Sequence, residues 1–225
     1  MAQVICGATR SWWNAVVTRV LLYSCGMELK DDTTYEDILF SELDSVKNRI
    51  KASTFERCEF VSCDFREAEF MDCRFTECTF QDSDLSLVKF TQTGFTEIQF
   101  DRCKIVGVNW TTLDWKGITV VAPVEFCSCD ISFSVFRGLR LPGLKVRNCK
   151  AREVDFVLCD LTGSEFVHSD LANTRFSSTK LNDCDFRESS NYIINPTENS
   201  VAGANFNFPD VLNLLSSFEI HIDKD

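Results

Sequence analysis

The chain has 225 residues, 44% hydrophobic and 25% charged, with 23 Lys and Arg against 34 Asp and Glu, a formal net charge of −11 and a pI near 4.7. Such an acidic chain repels phosphate backbones and anionic lipid, which sets direct nucleic-acid and membrane-surface binding aside. Its 20 Phe, with only 4 Pro and 9 Gly, supply too much apolar surface for intrinsic disorder.

The first 26 residues contain no acid, and Arg10 and Arg19 interrupt their apolar stretches too soon for a signal-peptide core. Met27 is followed at once by acidic, regular sequence, so 1–26 read as an N-terminal extension outside the fold, without which the charge is 21 − 34 = −13. No apolar run is long enough to span a membrane. Twelve Cys with no secretory signal read as reduced thiols of a cytoplasmic protein rather than as a disulfide framework.

From residue 55 a five-residue period takes over. Every fifth position is Phe55, Phe60, Phe65, Phe70, Phe75, Phe80, Leu85, Phe90, Phe95, Phe100, Ile105, Trp110 and Trp115. After an interruption at 116–125, read as a slip of one residue, the series resumes as Phe126, Ile131, Phe136, Leu141, Val146, Ala151, Phe156, Leu161, Phe166, Leu171, Phe176, Leu181 and Phe186. Two residues earlier runs a second column of mostly small or β-branched residues, among them Cys58, Cys63, Ala68, Cys73, Cys78, Ser83, Cys129, Ser134, Cys149, Cys159, Ser164 and Cys184. Between the columns sits a polar residue, often Asp: Asp64, Asp84, Asp130, Asp155, Asp160, Asp170 and Asp185.

Five residues on an α-helix advance about 140° net, which would smear the aromatic column around the circumference. The pattern needs instead a chain that turns a corner every five residues. Each edge points one large and one small side chain inward, and successive coils pair their backbones at about 4.8 Å.

The segments CDFRE at 63–67, CRFTE at 73–77, CDLTG at 159–163, SDLAN at 169–173 and CDFRE at 184–188 resemble the pentapeptide-repeat family, whose pattern is a small residue, Asp or Asn, Leu or Phe, and two variable positions. The resemblance covers 55–188 and extends toward Phe40, with Ile38 and Ile50 in compatible register. It implies an all-β solenoid, a right-handed quadrilateral β-helix with four repeats to a 20-residue coil. The β-helix is expected over 27–190, with a C-terminal cap over 191–225. The two series then make a rod about 31 Å long at about 4.8 Å per coil.

In the cap, Pro209 opens a helix whose Val211, Leu214, Leu215 and Phe218 form one stripe able to cover the open end of the core. Residues 219–223 then alternate like a strand, presenting Ile220 and Ile222. Some pentapeptide-repeat proteins dimerise end to end through such elements, so the resemblance implies a homodimer through the C-terminal end.

Catalytic, cofactor and metal sites are not expected. Cys58 stacks below Cys78 and Cys129 below Cys149, but no three Cys are expected on adjacent coils, and a zinc site needs four convergent ligands. His168 falls at an outward corner and His221 on the polar side of the terminal strand. The sequence carries no Gly-rich phosphate loop, GxSxG or HExxH motif. Paired carboxylates such as Asp64 and Asp84 face solvent as a solubilising ladder.

That leaves the outer surface, and with it a non-enzymatic protein that works by protein contact. Among relatives, the Qnr-type and mycobacterial fluoroquinolone-resistance proteins and the immunity protein for a peptide gyrase poison engage DNA gyrase or topoisomerase IV, and have been read as mimics of duplex DNA. The resemblance therefore implies a topoisomerase partner, the alternative being an interaction scaffold for an unrelated protein. Summed outward charge over the repeats is −6, with −3 from 27–53 and −4 from 189–225. B-DNA would carry about 18 negative charges over the same length. The interruption, with one extra residue, supplies no long projecting loop of the kind Qnr-type relatives use, and Val120, Val121, Ala122, Pro123 and Val124 are expected as an apolar patch if they project. Trp110 and Trp115 beside it are expected to fill a widened core.

Overall fold

A computed structural model describes residues 28–115, 124–218 and 220, and there the chain winds as a right-handed quadrilateral β-helix. Three walls carry parallel sheets. One stacks Thr34–Glu36, Thr54–Glu56, Arg74–Thr76 and Gly94–Thr96; a second runs from Leu39–Ser41 through Glu59–Val61, Thr79–Gln81, Ile98–Asp101 and Val124–Cys127 to Lys145–Arg147; the third stacks Arg49–Lys51, Glu69–Met71 and Lys89–Thr91. The fourth wall is a column of single bridges through Asp44, Asp64, Asp84, Lys104, Asp130, Lys150, Asp170 and Ser190.

Register follows from the repeat. Phe55 lies opposite Phe75, Phe60 opposite Phe80 and Phe70 opposite Phe90, one coil apart. The rings therefore stack along the axis, Phe55 on Phe75 at 4.5 Å and 10° and Phe60 on Phe80 at 4.6 Å and 9°, and meet edge to face around each coil, as Phe70 meets Phe75. Both geometries suit the ring quadrupole. Every ladder position named above is buried except Trp115, which is half-buried and donates its indole N–H to the Trp110 carbonyl at 2.8 Å. Trp110 is fully buried in the core.

Corners lie two residues beyond each aromatic. Arg57, Ser62, Glu67, Asp72, Leu158 and His168 all have φ between 50° and 63°, although none is Gly. Left-handed backbone costs an L-residue about 1–2 kcal/mol. It recurs because it turns the corner while leaving the N–H aimed at the next coil: Arg57 N–H donates to Thr76 O at 2.9 Å, and Glu67 N–H to Ser86 O at 2.9 Å.

The structure corrects the reading of the interruption. Phe100 pairs with Phe126, Trp110 stacks on Phe136 at 5.4 Å and Lys104 bridges Asp130, so this coil takes 26 residues where its neighbours take 20. The insertion is six residues, not one. An eleven-residue gap between Trp115 and Phe126 looks like two repeats plus one residue, whereas the pairing of the flanking residues adds six residues to the coil. Val124 is a buried core residue, not part of a projecting patch, while 120–123 lie outside the described residues.

The ladder is also longer than expected. It begins with Tyr35 stacked on Phe55, and it ends with Phe206 stacked on Phe186.

The cap differs in kind. Asp210–Phe218 is a 3-10 helix, with three residues per turn, so Val211 and Leu214 share one side while Leu215 and Phe218 share another. The expected stripe splits: Leu214 packs against the core and Phe218 is exposed. Tyr192, Ile194 and Phe206 do most of the covering at this end. Ile220 is exposed, and Ile222 and His221 lie outside the described residues.

Candidate functional site: the outer surface of the rod

The inner column of small residues is a hydrogen-bonded ladder. Ser83 Oγ accepts the Cys63 N–H at 2.9 Å, and Ser169 Oγ accepts the Cys149 N–H at 3.1 Å while donating to Val146 O at 2.9 Å. Cysteines do the same work. Cys129 Sγ accepts the Cys103 N–H at 3.4 Å and donates to the carbonyls of Phe100 and Cys127, and Cys149 Sγ accepts the Cys129 N–H at 3.4 Å. Contrary to the sequence expectation, three thiols, Cys103, Cys129 and Cys149, therefore occupy consecutive coils. The six-residue insertion had hidden this alignment. They lie in a line along the axis rather than around a point, and no group of three or more metal-ligating side chains converges among the described residues. Burial pushes the Cys63 and Cys159 thiols up to about 11 and Cys184 up to about 12, which keeps them protonated and unreactive.

Outside, charges pair between coils. Residues 131–152 carry Arg137, Arg140, Lys145, Arg147, Lys150 and Arg152 with no acid, and 153–170 carry Glu153, Asp155, Asp160, Glu165 and Asp170 with no Lys or Arg. Arg137 and Arg175 both bond Asp155, at 3.1 and 2.5 Å; Arg147 bonds Glu165 and Arg152 bonds Asp170, each at 2.6 Å. Lys145 bonds Glu125 on the other side. Asp64 and Asp84 are not merely solvated: Asp64 takes a two-pronged bond from Arg66, and Asp84 lies 3.6 Å from Lys104. The twin CDFRE segment repeats that geometry, Arg187 Nη2 to Asp185 Oδ2 at 2.6 Å. Bonds from these arginines hold the Asp64 and Asp185 carboxyls below the usual carboxylate range. His168 sits at its outward corner with Nδ1 3.0 Å from Glu188.

Exposed large apolar side chains among the described residues fall into two groups: Leu87, Phe133 and Leu158 in mid-rod, and Ile193, Phe208, Phe218 and Ile220 toward the C-terminal end. Leu87 and Phe133 stand in one corner column on either side of Gly107, whose N–H bonds Ser132 O, and Leu87 leans into the space a side chain at Gly107 would fill. Leu158 stands at the next corner, and the wall between carries half-buried Val135 and Val157 together with the Arg137–Asp155 ion pair. A cleft of about 490 Å³ opens beside Leu87, lined also by Glu67, Lys89, Thr91, Asn109 and Thr112. The sequence reading missed this band. Its signal was there, since Leu87, Phe133 and Leu158 occupy the variable corner position that most repeats give to charged or polar residues.

Two family descriptions match the chain: pentapeptide repeat region over residues 53–122, and pentapeptide repeats (8 copies) over 145–177. The chain is a pentapeptide-repeat protein. Solved structures share the fold of this pentapeptide-repeat rod at low identity. HetL, a pentapeptide repeat protein involved in heterocyst differentiation regulation from the cyanobacterium Nostoc sp. strain PCC 7120, is 11% identical with a TM-score of 0.61 over 77% of this chain and 85% of its own. Full-length QnrB1, a plasmid-mediated fluoroquinolone resistance protein, is 14% identical with a TM-score of 0.50 over 83% of this chain and 100% of its own. A trypsin-treated QnrB1 variant is 16% identical, also at 0.50, over 87% and 98%. No curated protein sequence matches the chain. Among the described residues no helix is long and apolar enough to cross a membrane.

Proposed function

We propose that this pentapeptide-repeat protein is a non-enzymatic, protein-binding rod whose recognition surface is the mid-rod apolar band from Leu87 to Leu158. The observation that carries this reading is the division of labour across the backbone. Inward positions are filled by stacked rings and hydrogen-bonded thiols and hydroxyls, so recognition falls to the outer side chains, and Leu87, Phe133 and Leu158 are exposed apolar side chains at corners that other repeats give to polar or charged residues. Aromatic and aliphatic anchors flanked by polar groups are what protein contacts use.

The narrower reading is a type II topoisomerase partner, DNA gyrase or topoisomerase IV. Its support is the match to QnrB1 along that protein's whole length, together with a six-residue insertion in the coil that leaves Trp115. Contact by shape and apolar surface fits better than imitation of DNA charge, because the charges here are largely paired. A supercoiling assay with and without a fluoroquinolone, together with capture on each gyrase subunit, tests it. Inhibition or protection that Phe133→Asp abolishes is the expected result. No effect and no capture would remove the topoisomerase and leave the scaffold.

The C-terminal end carries a second proposal, a homodimer through that end, supported by Phe208 and Ile220, exposed at 80% and 52%. Light scattering of Phe208→Asp/Ile220→Asp should give the mass of a monomer; a mass equal to that of the wild type would count against the dimer.

A further inference from the structure

We infer that the open rung between Lys89 and Asn109 is a binding site for one extended residue of a partner's main chain. The inference rests on the reading of the chain as a protein-binding rod and gives that rod a backbone contact beside the apolar band. Along this wall each outward residue bridges the next, one coil on: Arg49 with Glu69, Glu69 with Lys89, Asn109 with Val135, Val135 with Asp155 and Asp155 with Arg175. Lys89 and Asn109 do not bridge, and Lys89–Thr91 is the last strand of its sheet.

A closed rung on this wall has two bonds. Val135 shows both: its N–H donates to Val108 O at 2.9 Å, and its carbonyl accepts the Trp110 N–H at 2.9 Å. The same register would set Asn109 N–H on Val88 O and Phe90 N–H on Asn109 O. Among the described residues nothing bonds Val88 O, Phe90 N–H or Asn109 N–H. Local turn chemistry holds the rung open. Asn109 Oδ1 accepts the Thr111 N–H at 3.0 Å and the Thr111 hydroxyl at 2.7 Å, which starts the 3-10 turn Trp110–Thr112. The Thr112 hydroxyl then lies between the coils, 2.8 Å from Phe90 O and 2.9 Å from Asn109 O, so the carbonyl that would have met Phe90 faces a hydroxyl instead.

The cleft of about 490 Å³ opens at this rung, with Val88 and Gly107 completing its lining. Val88 and Phe90 are exposed by only 2% and 0%, and backbone groups shielded this far are almost always paired in folded proteins. Val88 O and Phe90 N–H flank Lys89 as the acceptor and donor of a single strand position. Their complement is a group with one donor and one acceptor in strand spacing, which is one residue of an extended chain. A carboxylate has no donor for Val88 O, and an ammonium has no acceptor for Phe90 N–H. Strand addition of this kind draws affinity from main-chain bonds, and Leu87 beside the rung gives the added residue an apolar surface.

The test uses the full chain labelled with nitrogen-15. Free in solution, its Phe90 amide should exchange at least about tenfold faster than the Phe136 amide, which donates to Asp155 O at 2.9 Å on the same wall. Acetyl-Ala-Val-Ala dimethylamide should shift the Phe90 and Asn109 amide resonances saturably below about 10 mM and slow Phe90 exchange. The same peptide with its three backbone nitrogens methylated has no donor for Val88 O and should bind at least about tenfold more weakly. Equal exchange at Phe90 and Phe136 in the free chain would mean a closed rung and overturn the inference. Equal binding of the two peptides, or no shift at either residue by about 10 mM, would overturn it as well. None of these readouts involves a topoisomerase, so their failure beside a capture that Phe133→Asp abolishes would strike the rung alone and leave the band.

Discussion

Replacing Cys129 tests the corrected alignment and the hydrogen-bonded column together. Its Sγ is the acceptor for the buried Cys103 N–H, reached across the six-residue insertion, and the donor to Phe100 O and Cys127 O. Cys129→Ala leaves that N–H without a partner, at about 1–3 kcal/mol, and removes a buried sulfur worth about 1 kcal/mol more. The expected loss is therefore about 2–4 kcal/mol. Cys129→Ser keeps donor and acceptor, as Ser83 and Ser169 do at equivalent positions, and should stay within about 1 kcal/mol of wild type. Cys129→Val fills the volume without the polar function and should fall between them. Urea denaturation read through the midpoint and slope separates the three. Equal midpoints for the Ala and Ser variants would show that the thiol is packing alone and would refute the ladder.

Three further outcomes follow from the same geometry. Phe75→Ala, which removes a fully buried ring stacked on Phe55, should cost about 3–5 kcal/mol, whereas Thr76→Ala on the outside should stay within about 0.5 kcal/mol; urea midpoints measure both. Because arginine bonds lower the folded-state Asp64 and Asp185 carboxyls, their contribution is complete above the unfolded carboxylate value of about 3.9 and is lost as pH falls through the folded values. Asp64→Asn/Asp185→Asn should therefore flatten the acid limb of the midpoint-versus-pH curve. Leu158→Gly exchanges an exposed side chain at φ 63° for the residue that tolerates it. Relief of about 1–2 kcal/mol, set against about 0.5–1 kcal/mol of added unfolded-state freedom, predicts a gain of about 0.5 kcal/mol in the same denaturation assay.

What was legible depended on whether a feature repeats. The aromatic column from Phe55 to Phe186 is periodic, so architecture and inward face could be read from spacing alone, and the pairing of Phe60 with Phe80 is the consequence. The insertion is a single event, and its length shows only in which rings meet across it: Phe100 with Phe126. A wrong length there misaligns every coil beyond it with every coil before it, and so Cys103 does not line up in the sequence with the stacked Cys129 and Cys149, although the three bond in a row. The split cap stripe has a different cause. Val211, Leu214, Leu215 and Phe218 share a face at 3.6 residues per turn and divide at three, and apolar spacing alone does not distinguish those windings over nine residues. Leu87 and Phe133 each look like an ordinary variable position within their own repeat, while their meaning lies in the column they share across Gly107.

The arrangement of charge also bears on what kind of partner the rod can meet. In the second half the sign changes from coil to coil, all-basic 131–152 against all-acidic 153–170, over a rise of about 4.8 Å. A potential that alternates over less than the Debye length of about 8 Å largely cancels before a partner arrives. Duplex DNA presents one sign throughout, so this half cannot reproduce its field whatever its diameter. What the layering does provide is register. Arg147 over Glu165 and Arg152 over Asp170 are ion pairs only in the native stacking, and a slip of one coil would set like charges against each other. An excess of acid lies instead in the first coils, in 28–47 and in 69–84; of the five acids in 69–84, Glu69, Asp82 and Asp84 pair with Arg49, Arg102 and Lys104 on neighbouring coils, and Arg57 meets Glu36 and Asp37. A basic surface would be drawn to that half, and an apolar one to the band between Leu87 and Leu158. Any partner that engages both must lie along the rod rather than cap it.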